Sequence, residues 1–500
     1  MTRPGPIQRR ILRAVGGRAR RRVIVLLAAV LALQGADLST IGAVASQLKP
    51  GLHIDNTGLG LLVTVSAGVG ALATLPLGAV VDRANRARLL SCGIALWAVV
   101  MMVSGSATTF TMLLVTRLAL GAVVAVAGPT IASLAGDLFP PGARGELYGF
   151  ILSGELLGGG FGFLVSGNVS SAFGWRWAFW VMSGLSVLVA WALHRFLPEP
   201  ARGGASMLHE GADRILTAAE IRGAGSPDRV DSRASPDPPN PLRTQIRNAG
   251  ITPHEPQVLR GVAAELSWSG AARYIISVRT NLILITASAL GYSLYAGVRT
   301  FGVIYVQHRF AVGQSIATLL LIVLGAGAVV GVLLTGRIAD SLIDRRHLAA
   351  RPLVAGLAFL AAAVLFIPAL LVPSLLVAAP LFFLAAAALG GTNPPLDAAR
   401  LDLMPARLWG RAESVRTALR SLLEAGAPLL IGVLATQFGT ATSGLGQPRS
   451  NAHQGNGLSE ALLVALLPVL IAGLLLVLRA RRTYPRDVAT ALASDSITAH

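Results

Sequence analysis

About twelve apolar blocks of roughly 20 residues recur along the chain, and no other feature limits its fold as strongly. At 1.5 Å of rise per residue, each block is long enough to cross a hydrocarbon core about 30 Å thick as a helix. The blocks lie near 23–46, 58–81, 88–106, 110–136, 147–169, 176–196, 281–305, 313–336, 351–372, 374–398, 413–437 and 459–479. The expected fold class is therefore an all-α polytopic membrane protein with twelve transmembrane helices. A composition of 53% hydrophobic and 13% charged residues fits a chain whose solvent is lipid.

A net charge of +18 could mark a nucleic-acid binder, but the positions of the basic residues exclude that. Arginine fills the stretches 1–22, 82–88, 137–147, 195–279, 337–351, 400–416 and 479–500, all on one side of the proposed spans. Only Lys49, Arg176, Arg309 and Arg449 fall in the opposite loops. Such asymmetry is the positive-inside pattern and puts both termini in the cytoplasm of a bacterial inner membrane. Cys92 is the single cysteine, so the chain forms no internal disulfide and no cysteine-based metal cluster. The apolar run from Val23 lacks a small-residue cleavage site and leads into further spans, so it reads as the first helix rather than a removed signal.

The expected organisation is a basic N-terminus (1–22), a six-helix bundle (23–197), a cytoplasmic linker (198–279), a second six-helix bundle (280–480) and a cytoplasmic tail (481–500). Ser226 to Pro241 has the Pro, Ser and mixed charge of a disordered stretch. Val258 to Ile276 is more helix-like and suits either the inner leaflet or a plain linker. The halves repeat: Pro129, Asp137-Leu138 and Pro140 recur 265 residues later as Pro394, Asp402-Leu403 and Pro405. A second echo pairs Gly78–Asp82 with Gly336–Asp340. Parallel repeats make the bundles pseudo-symmetric and place a substrate site between them near the midplane.

At Gly78 to Leu90, GAVVDRANRARLL resembles the loop signature of the major facilitator superfamily, with Gly78, Asp82, Arg83, Arg86 and Leu90 matching. Asn85 stands where glycine is usual, and asparagine is the residue that otherwise best tolerates a left-handed turn. Arg117 with Gly121, and the opening Gly174 to Phe179 of the sixth span, fit the same family. Gly35-Ala36-Asp37, Gly58 to Leu62, Asp137 to Pro141 and Arg144-Gly145 are similar to the spinster-like branch, whose members carry lysolipids and other amphiphiles. The resemblance implies alternating access. It also implies that Asp82 sits against the positive end of the eleventh span. Gly78, Asp82, Arg83, Arg86, Arg144 and, by the repeat, Asp340 then form a cytoplasmic latch. Solvated topology anchors are the plainer alternative for these charges.

Several polar residues fall inside the proposed spans. Asp37 lies about 21 Å along the first span, with Gln34, Ile41 and Thr40 on or beside its face. A carboxylate at that depth has to face a cavity or a partner. Arg117 reaches a similar depth from the other side, and the two can pair; a static buried pair competes with a proton-exchanging one. Glu155 lies within Gly154-x3-Gly158-x3-Gly162, a face suited to close helix contact, and serves either as a proton relay or as the partner of an arginine. In the second half Ser288, Tyr292, Tyr295 and Arg299 share a face that suits an amphiphilic or anionic ligand, or else an interfacial anchor. Glu413, Arg416, Arg420 and Glu424 form a second series, with Glu424 deepest and Pro428 a kink.

The expected function is secondary transport of a small organic or amphiphilic solute, proton-coupled and outward. The alternatives are a proton-coupled importer of organic metabolites and a transport-inactive sensor or scaffold. An enzyme is not expected: no histidine is mid-span, and neither G-x-S-x-G nor H-E-x-x-H occurs. No G-x-x-x-x-G-K-[ST] loop is present to use a nucleotide. Expected partners are the substrate, protons and membrane lipid, with no cofactor, no metal and no nucleic acid, and the chain is expected to act as a monomer.

Overall fold

The computed structural model describes residues 18–138, 144–200, 241–259, 267–405, 408–441 and 451–497. The side chains of Gly78, Asp82, Arg83, Arg144 and Glu413 lie outside the described residues, as do 226–240 of the expected disordered stretch and the termini 1–17 and 498–500. Among the described residues the chain is helical throughout and has no β-strand. The first half comprises α1 (Arg18–Leu52), α2 (Asn56–Arg83), α3 (Arg86–Gly105), α4 (Phe110–Val124), α5 (Ala127–Leu138), α6 (Arg144–Phe173) and α7 (Trp175–Phe196). Two short helices follow, α8 (Pro241–Asn248) and α9 (Trp268–Ser277). Then come α10 (Arg279–Phe310), α11 (Gln314–Asp344), α12 (Ala350–Leu371), α13 (Leu375–Gly390), α14 (Asn393–Leu403) and α15 (Trp409–Ala441). The last are α16 (Asn451–Val464), α17 (Leu466–Leu475) and α18 (Arg481–Ile497), with a π-helical turn at Leu476–Ala480 before α18.

Among the described residues, 11 helical stretches are long and apolar enough to cross a membrane. The 30-residue α6, at the place of the fifth span, accounts for the twelfth. Two compact units divide the chain, one of residues 1–54 and 65–235, the other of 55–64 and 236–500.

Within the first unit, α1 and α6 meet along rows of small residues. A Cβ built on Gly154 would lie 2.4 Å from the carbonyl oxygen of Ala28, and one on Gly158 would lie 2.0 Å from that of Ala32. On Gly162 it would lie 2.5 Å from Ala36 Cα. One turn further, Thr40 and Ser166 share a hydrogen bond of 2.9 Å. The pairing keeps a constant register because both faces repeat every four residues, so glycine lets the two backbones touch. Gly158→Leu should therefore stop α1 and α6 from closing, whereas Gly160→Leu, where a Cβ meets nothing within 4 Å, should be tolerated. Size-exclusion profiles of the two variants in detergent check this; a monodisperse Gly158→Leu protein would refute it.

The structure refines three local expectations. The fourth and tenth spans are each one apolar run, Phe110–Ala135 and Leu375–Leu403, built of two helices: α4 gives way to α5 after Val124, and α13 to α14 after Gly390. Pro129 and Pro394 lie four residues past Ala125 and Gly390, so each lacks the N–H that would bond that carbonyl and its ring crowds it. Asn85 adopts φ −71 and ψ 111, an extended rather than left-handed backbone, and its side chain accepts from Arg88 N. It stands there as the N-cap of α3. Of the helix-like stretch 258–276, residues 260–266 lie outside the described residues, and α9 starts where Ser267 accepts from Gly270 N at 3.1 Å. Pro428 lies inside α15, which continues past it.

Candidate functional site

Arg117, Arg299 and Arg420 lie within the proposed spans, and each stands in a cluster of charged or aromatic side chains. In the first unit Asp37 on α1 is 6% exposed and Arg117 on α4 is 1% exposed. Arg117 Nη1 donates to Asp37 Oδ1 at 3.2 Å. Its Nη2 donates to Ser104 Oγ at 3.0 Å and lies 3.5 Å from Met101 Sδ on α3, while the guanidinium stands 5.1 Å from the ring of Phe179 on α7. Three helices besides its own thus orient the cation.

Of the stripe expected beside Asp37, Thr40 turns to Ser166 and belongs to the α1–α6 contact, Ile41 is buried, and Gln34 is half-buried. Glu155 on α6 is half-buried, and its backbone carbonyl lies against Gly35.

In the second unit the structure brings together Tyr292, Tyr295 and Arg299 of α10 with Arg420 and Glu424 of α15. The two tyrosine rings meet edge to face at 6.2 Å. Arg420 lies 4.0 Å from the Tyr292 ring centroid, and Arg299 lies 5.4 Å from that of Tyr295. Glu424 is shared: 3.9 Å to Arg299 Nη2 and 3.8 Å to Arg420 Nε. These ion pairs are long, so one carboxylate loosely balances two guanidinium groups. The Nε of Arg299 is buried without a hydrogen-bond partner. An apolar crevice beside α10 includes Leu294 and Val298, which immediately precede Tyr295 and Arg299, together with Phe366 and Phe382.

Of the expected latch residues, Arg86 and Asp340 have described side chains. Arg86 is 1% exposed and turns onto α5 and the segment after α7. It donates to Asp137, to Glu199 Oε1 at 2.8 Å, to Ser133 Oγ at 3.1 Å and to the carbonyl of Pro200 at 3.1 Å. Glu199 also accepts Ala87 N at 2.8 Å, closing the first turn of α3. In the second unit Arg351 donates to Asp402, which also accepts the Tyr484 hydroxyl. Asp340, whose side chain is 73% exposed, lies 4.0 Å from Arg351.

Sequence reasoning missed the roles of Glu199, Arg351 and Tyr484. A signal was present: Arg86 and Arg351 are separated by the same 265 residues as Asp137 and Asp402, so the repeat that marked the acids also marks their cations. Among the described residues no group of three or more His, Cys, Asp or Glu could hold a metal ion.

The chain is 29% identical over 198 residues to protein spinster homolog 1 of Xenopus tropicalis, and 28% identical over the same length to that of Xenopus laevis. Each match covers 39% of this chain and 37% of the relative, so it spans little more than a third of those proteins. A solved bacterial homolog of the human lysosomal transporter Spinster, inward-facing and unoccupied, superposes with a TM-score of 0.68 at 20% identity. That likeness covers 94% of this chain and 98% of that one. The D-xylose–proton symporter gives a TM-score of 0.59 at 15% identity over 90% and 97% of the two chains. The family profile described as Major Facilitator Superfamily matches residues 27–428. Most of the chain lies within that match, and the protein belongs to the Major Facilitator Superfamily as a multi-pass membrane protein.

Proposed function

We propose that this carrier moves an amphiphilic organic solute with an anionic head outward across a bacterial cytoplasmic membrane, driven by protons. The observation that carries the reading is the buried Asp37–Arg117 pair, two opposite charges at 3.2 Å inside the first unit. Fixed charge within a membrane span is costly, and a carboxyl that can exchange a partner for a proton is a means of coupling. Glu155 is the second candidate for that exchange.

On the substrate side, the guanidinium groups of Arg299 and Arg420 share Glu424 and stand against the tyrosine pair, and cations beside aromatic faces suit the head of an anionic amphiphile. Gly78, Asp82, Arg83, Arg86, Arg144 and Asp340 govern which side is open. The bundles 23–197 and 280–480 work as a monomer, joined by the linker 198–279, with both termini in the cytoplasm.

The test uses the purified chain in vesicles that trap a pH-sensitive dye. Monododecyl phosphate, dodecyltrimethylammonium and a panel of lipids, drugs and metabolites are added below their micellar concentrations. Proton movement that depends on the phosphate and not on the quaternary ammonium is the expected result. A carrier with no solute-dependent proton movement across the whole panel would sink the proposal and favour a sensor or scaffold.

A further inference from the structure

The last helix of the chain, α18, is not built as a free tail. Tyr484, Val488 and Ala491 are fully buried, Asp487 and Thr490 are 3% exposed, and Ser494 is 1% exposed. These positions recur at helical spacing on one face, while Arg481, Arg482 and Arg486 are exposed. Every polar residue of the buried face has a partner on a different element of the second unit. The Tyr484 hydroxyl donates to Asp402 on α14, which holds Arg351 on α12. Asp487 Oδ2 accepts the N–H of Thr280 at 3.0 Å, and Thr483 and Thr280 share a hydroxyl–hydroxyl bond.

Thr490 Oγ1 accepts the N–H of His254 at 2.8 Å, and Ser494 Oγ accepts that of Leu259 at 3.1 Å. Tyr274 of α9 also hydrogen-bonds Ser494, and burial pushes its phenol above the ordinary value.

Thr280 is the second residue of α10, and Val278, the residue before that helix, makes no side-chain capping bond. The first turn of a helix carries N–H groups without an internal acceptor, and a carboxylate there also meets the positive end of the helix dipole. Asp487 fills this role from 207 residues away. The helix it caps carries Tyr292, Tyr295 and Arg299 as one uninterrupted rod, so its anchored end fixes where those side chains stand.

We propose that α18 is a positioning element of the carrier, with Asp487 as the positioning residue that holds α10, and hence the tyrosine–arginine cluster, in place. The placement of α10 stands on its own, whereas its effect on transport rests on the function proposed above. The experiment therefore has two readouts. In the full chain with Cys92→Ser, nitroxide labels at Leu282 on α10 and Arg486 on α18, both exposed, report the distance between the helices. Proton movement driven by monododecyl phosphate reports transport.

Asp487→Ala should broaden the narrow distance distribution. It should also raise the phosphate concentration for half-maximal flux about tenfold, the effect of losing one hydrogen bond to a charged group, with a change in maximal rate of less than about twofold. Asp487→Asn, which still accepts the Thr280 N–H, should restore both. If Asp487→Ala does not fold, Thr280→Cys with Thr483→Cys keeps the idea testable. Once the pair is oxidised to a disulfide, α18 is fixed on α10 and transport should be unchanged; arrest by the cross-link would overturn a fixed brace. An Asp487→Ala carrier with an unchanged distance and half-maximal concentration would overturn it as well, and so would failure of Asp487→Asn to rescue. Absence of flux in the unaltered carrier would sink the transport reading and leave the distance result to decide the placement.

Discussion

Asp37→Asn should abolish concentrative, pH-driven transport while leaving binding or downhill exchange of the solute intact. A pH difference of one unit supplies about 1.4 kcal/mol per proton, enough for at most a tenfold accumulation at one proton per solute. The variant should accumulate none. Asparagine keeps an oxygen that can accept from Arg117 Nη1 and mimics the neutral carboxyl, so one protonation state is frozen and the packing around it survives. Arg117→Ala should be worse for both binding and transport. It leaves a carboxylate 6% exposed without its cation, a cost of about 3–5 kcal/mol when a buried pair is broken on one side, and it also removes the contacts to Ser104 and Phe179. Accumulation of monododecyl phosphate in vesicles, with and without an imposed pH step, is the measurement. Full pH-driven accumulation by Asp37→Asn would make Asp37 a packing residue and pass the coupling role to Glu155 or Glu424.

The fold was legible because lipid imposes a coarse rule: a helix must run about 20 apolar residues, and charge collects at its ends. Helix number and order follow from that; Gly154, Gly158 and Gly162 announce a close-contact face by spacing alone, while its partner α1 is known only from the packing. Where the reading fell short, a side-chain partner had been missed. Asn85 looked like a glycine substitute because the loop signature was read as a turn, whereas its side chain is used to start α3. Arg86 was read with its sequence neighbours, but its partners, Asp137 and Glu199, are 51 and 113 residues away.

Composition hid α18 most completely. Its buried face mixes Tyr, Asp, Thr and Ser with Val488 and small alanines, so hydropathy treats it as a polar tail. Only hydrogen-bond partners found elsewhere in the chain make such a face worth burying. The tyrosine–arginine cluster was half visible. Tyr292, Tyr295 and Arg299 share a face by spacing, but the approach of Arg420 to Tyr292 depends on how α15 packs on α10.

The repeat also ends in an asymmetry with consequences for stability. Arg86 and Arg351 occupy equivalent places, yet removing them should not cost the same. Arg351→Ala takes the cation from Asp402, which is 1% exposed and keeps only neutral help from the Tyr484 hydroxyl among the contacts described, so the loss should be about 3–5 kcal/mol. For a unit of this size that corresponds to a fall in the unfolding midpoint of roughly 10 °C. Arg86→Ala strands Asp137 and Glu199, whose side chains are 17% and 23% exposed and can be hydrated in part. Glu199 also keeps the N–H of Ala87. Its loss should be about half as large, near the 1–3 kcal/mol of an unsatisfied polar group.

The charge explanation makes a further demand. Adding Asp402→Asn to Arg351→Ala removes the stranded charge while keeping an acceptor for the Tyr484 hydroxyl, so the double variant should recover most of the lost stability. Thermal unfolding of the three variants in one detergent, each alongside the unaltered chain, decides it. Equal shifts for the two arginines, or a double variant less stable than Arg351→Ala alone, would show that packing of the guanidinium stem outweighs the buried charge.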